Sequence, residues 1–412
     1  MSESKLQPCE HSVAERAAGK RLHAIALFTA AVFVLGGEFW ADPIWGENLA
    51  AGLTLMVLAL LLVLWTLHGC SESAAAPSGR ISSRSRILLA ALLLLHAGIG
   101  LWQIRTTPGR IDCLTFQRDA VQTLLHGQNP FGGSHENVYS ADETARFYGE
   151  GMVVNGRVQI GLQYPPITLV AATPGYLLGD VRYGYLLVTL LTAVVLAAAL
   201  PDPAGVVAAA LLLLDPATWM VEARCWTEPL VFLLLCTVYY CLRRRPALLG
   251  VALGLFLASK QYNVLALPFV ALLVRPFSWR AWAKLLAQSL AVAALTVLPF
   301  ALWNPRALWH DLAQFHLAQP FRADAVSFAV QFHWAMTVGP LLLLLFMVWA
   351  VLRVKPGGAT FSAVYAAGIL IFFVTGKQAF CNYYFLITQS FLLAAAGLWP
   401  EADAGSQPMI EQ

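Results

Sequence analysis

From residue 22 to residue 399 the chain returns again and again to apolar runs of roughly 15 to 20 residues. Each is long enough to cross a hydrocarbon core of about 30 Å as a helix. A soluble protein built from a dozen such runs would have little polar surface left to face water. Composition agrees: 58% of the residues are hydrophobic and 12% charged, against about half and about a quarter in ordinary soluble domains. The expected fold is all-α: a polytopic transmembrane bundle of about twelve spans, with amphipathic juxtamembrane helices on the outer face. The spans are expected near 22–40, 49–68, 87–104, 183–200, 205–221, 228–242, 246–259, 261–275, 284–303, 337–352, 359–375 and 382–399.

One further run is short. PPITLVAATPGYLLG, residues 165–179, is interrupted by Pro174 and Gly175 and suits a re-entrant or interfacial helix as well as a span. Loop charge decides between them. If the segment does not cross, one side holds the N-terminus, Arg80, Arg84, Arg86, the triple arginine 243–245, Arg275, Arg280, Lys284, Arg353 and Lys355. That side carries 15 basic against 8 acidic residues, the other 11 against 15. If the segment crossed, the triple arginine would fall outside. The positive-inside rule therefore places both termini in the cytoplasm.

This topology divides the chain into a cytoplasmic tail (1–21), two transmembrane helices with a cytoplasmic loop (22–85), a main membrane module (86–400) and a short cytoplasmic tail (401–412). No small-x-small cleavage site follows the first apolar run, so it is expected as a retained anchor. The seven cysteines (9, 70, 113, 225, 236, 241 and 381) show no CxxC pair and no metal-ligand spacing. No basic run with interleaved aromatics points to nucleic acid.

On the outer side fall 105–182, 215–227, the Lys260 corner, 304–336 and 376–381, and nearly every polar residue other than a cytoplasmic lysine or arginine collects there. Whatever chemistry the chain carries faces outwards. Neither an internal repeat nor an inverted pair of broken helices is visible.

The first long outer loop opens with GRIDCLTFQRDAVQTLLHGQNPF, residues 109–131. At 100° per residue Asp112, Thr115, Arg118, Asp119, Gln122, Thr123 and His126 share an arc of about 140°. Cys113, Leu114, Phe116, Ala120, Val121, Leu124 and Leu125 fill the other half, with only Gln117 out of place. Such a helix lies flat in the interface with its acids up. Asp112 has two readings, a plain N-cap after Pro108-Gly109 or an acid presented for chemistry, with Asp119 beside it on the same face.

Two corners repeat one arrangement. ASKQYN sets Lys260 and Gln261 between apolar runs, and TGKQAFCNYYF does so with Lys377, Gln378 and Asn382. A lysine there snorkels to the headgroups by default, or faces a cavity and binds a phosphate as a point charge. Arg322, in QPFRADAVSF, adds a third cation from a third segment. Glu222 and Glu228 are expected to open a span as N-terminal acids on its dipole. Either could also join the aspartates around a divalent cation. None of the histidines at 126, 135, 310, 316 and 333 forms a spaced metal pair, and no resident cofactor is expected.

The order of these pieces resembles a known family. A span is followed by IDCLTFQRDAVQTLLHGQNPF, then by QYPPITLVAATPGYLLGDVRY with Tyr164, by GVALGLFLASKQYNVLALPF and by KQAFCNYYFL. The chain resembles the glycosyltransferase C superfamily of integral membrane enzymes over roughly residues 86 to 400. Within it, bacterial polyprenyl-phosphomannose-dependent hexosyltransferases are nearest. The resemblance implies an inverting transfer of a hexose, such as mannose, from a polyprenyl-phosphate carrier to a glycan, lipid or protein hydroxyl on the outer face of the plasma membrane. It makes Asp112 the acidic catalytic residue and Lys260 the donor-phosphate ligand, with Arg322 and Lys377 as looser matches. It also implies that the PPI segment is a juxtamembrane helix. Many members carry a large soluble C-terminal domain that this sequence lacks, which leaves acceptor recognition to outer loops or a partner. A paired DxD-type motif is also missing, so metal dependence does not carry over. A lipid-linked sugar or solute transporter and a non-catalytic envelope-assembly subunit are the other readings; a cavity lined by Asp112, Lys260 and Lys377 would separate the enzyme from both.

Overall fold

The structure is a computed structural model that describes residues 7–41, 48–69 and 81–400. The tail expected at 401–412, Arg80 and Cys70 lie outside them. The described chain is almost wholly helical. It begins with α1 (Gln7–Ala41), α2 (Leu49–Gly69), α3 (Ser83–Thr106), α4 (Asp112–Leu125) and α5 (Ala141–Tyr148). There follow α6 (Thr168–Leu177), α7 (Arg182–Ala199), α8 (Ala204–Leu214), α9 (Pro216–Ala223), α10 (Glu228–Arg244) and α11 (Leu249–Leu257). After a 3₁₀ helix at Gln261–Leu273 come α12 (Trp279–Trp303), α13 (Pro305–Trp309), α14 (Phe315–Ala318), α15 (Ala335–Arg353), α16 (Gly358–Val374) and α17 (Cys381–Leu398). Three two-residue strands between α4 and α6 form a small antiparallel sheet, order β1 (His135–Glu136), β3 (Arg157–Val158), β2 (Val153–Val154). The polar stretch expected as a tail before residue 22 is helical from Gln7 and continuous with the first apolar run.

Among the described residues seven helices are long and apolar enough to cross a membrane: Ala17–Ala41, Leu49–Gly69, Ser83–Thr106, Arg182–Ala199, Trp279–Trp303, Ala335–Arg353 and Cys381–Leu398. This is a multi-pass membrane protein by helix length and composition. The span expected at 205–221 is α8 and α9, bent by 56° at Asp215, and counts as an eighth if the pair is one span. One bent helix pair is therefore present among the described residues, where a continuous span was expected. The reason is local: Asp215 caps α9 through the Ala217 amide at 2.9 Å and Pro216 occupies the first helical position. The runs expected at 246–259 and 261–275 become the nine-residue α11 and the 13-residue 3₁₀ helix. A 3₁₀ helix rises about 2.0 Å per residue, so 13 residues reach about 26 Å. The segment 165–179 forms α6, ten residues long, far short of the roughly 20 a span needs.

The five segments expected on the outer side meet at one end of the bundle. Gln117 donates to the Cys225 carbonyl at 2.6 Å, and Gln261 to the Gln163 carbonyl at 2.8 Å. Lys377 donates to the Gln319 carbonyl at 2.7 Å, and Lys260 to Thr227 Oγ1 at 2.6 Å. Arg182 ties this end to α3: its guanidinium donates to the carbonyls of Thr107 at 2.7 Å and Ile104 at 2.9 Å while pairing with Asp180 at 2.7 Å. A cation on the last carbonyls of a helix satisfies groups that otherwise have no partner.

α1 packs on α2 through glycine and also lies along α17, while α2 lies against α16. A Cβ on Gly52 would lie 2.3 Å from the Gly37 carbonyl oxygen and 2.5 Å from Ala41 Cβ. Gly52→Leu is expected to force α1 from α2 and to lower stability by about 1–3 kcal/mol, read as a lower midpoint in detergent thermal unfolding. Gly98→Ala in α3, where a Cβ meets nothing within 4 Å, is the control and leaves the midpoint unchanged or higher.

Candidate functional site

The site begins where α3 ends and α4 turns across the end of the bundle. Asp112 is the first residue of α4, with Ile111 in the capping position, so it does not act as the N-cap. Its Oδ1 accepts from the Cys113 amide at 2.7 Å and its Oδ2 accepts from the Tyr148 hydroxyl at 2.9 Å. The Tyr139 hydroxyl lies 3.5 Å from the Asp112 amide nitrogen. Burial, then the Asp112 charge, push both tyrosines well above the ordinary phenol range, so each stays a neutral donor. Asp112 itself is half-buried.

Asp119 points elsewhere. It pairs with Arg118 at 2.8 Å and His135 at 3.1 Å. Burial alone would raise its carboxyl, but the hydrogen bonds from His135 and Arg118 outweigh that and hold it below the usual carboxylate range. It fastens the small sheet to α4. Gln117, out of place on the helical wheel, is fully buried: it donates to the carbonyls of Cys113 and Cys225 and accepts from the Tyr185 hydroxyl.

Lys260 follows α11 in an extended conformation and is 7% exposed. Its ammonium lies 3.0 Å from Glu228 Oε1, 2.6 Å from Thr227 Oγ1 and 4.5 Å from the centre of the Tyr164 ring. Lys260 thus sits in the buried interior rather than at a headgroup layer as a snorkelling side chain would. Glu228 opens α10 as expected. Glu222 does not open a span: it ends α9, buried against His96 at 3.1 Å.

Two routes join Asp112 to Lys260. On one, Cys113 Sγ is 2.9 Å from the Tyr164 hydroxyl, and the face of that ring covers Lys260. On the other, Tyr148 is followed back to Phe147, over whose ring the Arg322 guanidinium lies at 4.0 Å. Arg322 also lies over Phe380 at 4.6 Å. Phe380 approaches Tyr383 at 6.4 Å, Tyr383 approaches Tyr262 at 5.8 Å, and the Tyr262 hydroxyl donates to Glu228 at 3.2 Å. The ring of contacts closes, with two acids, Asp112 and Glu228, two cations, Lys260 and Arg322, and aromatic side chains between them.

The remaining expected residues support this ring from behind. Arg322 is held by Asp324 in a two-pronged pair at 2.7 Å. Lys377 donates to the carbonyls of Leu317 and Gln319, and burial lowers its ammonium from the ordinary lysine value. Gln261 reaches Gln163, the residue before Tyr164, as does His316 at 3.0 Å. Asn382 is buried at the start of α17, and Gln378 keeps a buried side-chain nitrogen without a hydrogen-bond partner. Tyr148, Tyr262, Cys113 and Asp311 escaped the sequence reading. Asp311 is fully buried and accepts from the amides of Gly132 at 2.7 Å and Gly161 at 3.0 Å. It thereby fixes the strand of backbone that leads to Tyr164. Only Gln117 left a signal, as a polar residue on an apolar face.

The acids are distributed on different partners: Asp112 on Tyr148, Glu222 on His96, Glu228 on Lys260. Among the described residues no three His, Cys, Asp or Glu side chains gather as a metal site would. No protein-family model matches the chain, and no curated protein is significantly similar to it.

Proposed function

We propose that this chain is a membrane glycosyltransferase that moves a hexose from a polyprenyl-phosphate carrier to a membrane-associated hydroxyl, with inversion and with Asp112 as general base. The observation that carries the reading is the closed ring of contacts, which links the Asp112 carboxylate to the buried Lys260 and the half-buried Arg322 through aromatic side chains. A carboxylate within reach of an acceptor hydroxyl removes its proton as the anomeric carbon is attacked. Lys260 and, from another side of the ring, Arg322 stabilise the charge that grows on the departing phosphate. Aromatic faces suit the C–H surface of a hexose. The resemblance to the glycosyltransferase C superfamily supports the same assignment. In this proposal both termini are cytoplasmic and the ring faces outwards from the plasma membrane.

An apolar groove of about 610 Å³ lies between α2 and α15, lined by Val57, Leu60, Leu64, Val338, Leu342 and Trp349 among others. Along α15 it extends from Ala335 to Trp349, about 21 Å at 1.5 Å per residue. Thr375 at its edge is two residues from Lys377, so a carrier tail fits there with its phosphate towards the ring. Leu342→Trp is expected to raise the KM for a long-chain carrier about tenfold and to leave that for a two-isoprene analogue unchanged.

The function is tested in membranes supplied with polyprenyl-phosphate carrying a radiolabelled hexose. Membranes containing the protein are expected to liberate polyprenyl phosphate as label enters another lipid or glycan. Equal release from membranes lacking the protein refutes the proposal. A second reading, a transporter of lipid-linked sugar or small solute, is favoured by one observation: the broken α8–α9 pair, with Asp215 at the break bonded to Gln389 at 3.0 Å.

A further inference from the structure

Two of the three Lys260 donors are already engaged. Of its three N–H groups, one meets Glu228 Oε1 at 3.0 Å and one Thr227 Oγ1 at 2.6 Å, and the Tyr164 ring covers the ammonium at 4.5 Å. Glu228 is 0% exposed yet only half engaged. Oε1 takes the ammonium and the Tyr262 hydroxyl, whereas Oε2 has no hydrogen-bond partner among the described residues. One positive and one negative charge balance here. A phosphodiester arriving at Lys260 would leave two anions against one cation in surroundings with almost no water, which is strongly disfavoured.

One proton restores the balance. Placed on Oε2 of Glu228, it turns a carboxylate that repels the phosphate into a carboxylic acid whose O–H donates to a phosphate oxygen. We infer that Lys260 and Glu228 form a proton-linked anion site: a phosphodiester binds at Lys260 together with one proton on Glu228, so affinity for the carrier rises as pH falls. The inference rests on the proposed function for the nature of the anion, and on the buried pair for the proton.

The other titratable groups around the pair do not supply that proton step. Tyr262 on the 3₁₀ helix donates to Glu228, Tyr383 on α17 packs on Tyr262, and Tyr164 before α6 covers Lys260. Tyrosine ionises only near pH 10 and is already protonated at neutrality. The rival acceptors are His316, on the Lys260 side against the Gln163 carbonyl, and Asp112, which lies beyond Tyr164 and Cys113.

The test is calorimetric titration of the purified full-length protein in detergent with farnesyl-phosphoryl-hexose, a diester that does not itself titrate near neutrality. Measurements between about pH 6 and about pH 8 use buffers of different ionisation enthalpy. The wild type is expected to take up about one proton per diester bound, and to lose about tenfold in affinity per pH unit. Glu228→Gln is expected to bind with no proton uptake and a flat pH dependence, whereas His316→Gln keeps both effects. Wild-type binding without proton uptake, or uptake retained in Glu228→Gln, overturns the inference and leaves the proposed function standing. Should Glu228→Gln fail to fold, the wild-type proton count decides alone. No binding at any pH overturns the proposed function and this inference with it.

Discussion

Asp112→Asn is expected to lower the turnover number of hexosyl transfer by about 10²- to 10⁴-fold, with little change in KM for the carrier. The substitution keeps size and shape. The amide oxygen still accepts from the Cys113 N–H, and the Tyr148 hydroxyl can turn to accept from the new amide nitrogen, so α4 starts as before. Only the capacity to take a proton is lost. Asp119→Asn is the contrast: it breaks the pairs with Arg118 and His135 that fasten the small sheet, and is expected to cost stability while turnover per folded molecule stays within about threefold. Initial rates at equal amounts of folded protein check both. Full activity in Asp112→Asn removes it from the reaction. A larger loss in Asp119→Asn exchanges their roles.

The second large effect concerns the buried pair. Lys260→Met leaves Glu228 charged, unpaired and 0% exposed, and such a deletion costs about 3–5 kcal/mol. Adding Glu228→Gln removes the stranded charge, and the double variant is expected to regain most of that stability. It should still fail to bind the carrier, because no cation remains on that side of the ring. Thermal unfolding in detergent reads the first effect and diester binding the second. A double variant no more stable than Lys260→Met would show that the pair does not act as a pair.

Sequence periodicity made the outline of this site legible and left its wiring unread. Hydrophobic period and loop charge grouped the five segments that the structure brings to one end, and they kept α6 from being counted as a span. Asp112, Tyr164, Glu228, Lys260 and Arg322 were all singled out and all lie on one ring. That Lys260 pairs with Glu228, 32 positions away, has no local signature, because the contact is made by two chain reversals and not by a helical face. Asp119 looked equivalent to Asp112 on the wheel, since a wheel shows which face a side chain shares and not which neighbours it meets. Apolar composition likewise does not distinguish α from 3₁₀ winding, so 261–273 read as an ordinary span. The break at Asp215 was carried by an Asp-Pro pair inside a run whose mean hydropathy hides it.

The most direct measurement follows the fate of the label in proteoliposomes that contain the purified protein, polyprenyl-phosphate-hexose with a radiolabelled sugar, and a membrane extract as acceptor. The account predicts that label leaves the carrier lipid and appears on a second molecule, leaving unlabelled polyprenyl phosphate behind, and that Asp112→Asn abolishes the exchange. Label that crosses the bilayer still attached to its carrier, or that stays on the carrier with the wild type, would contradict it.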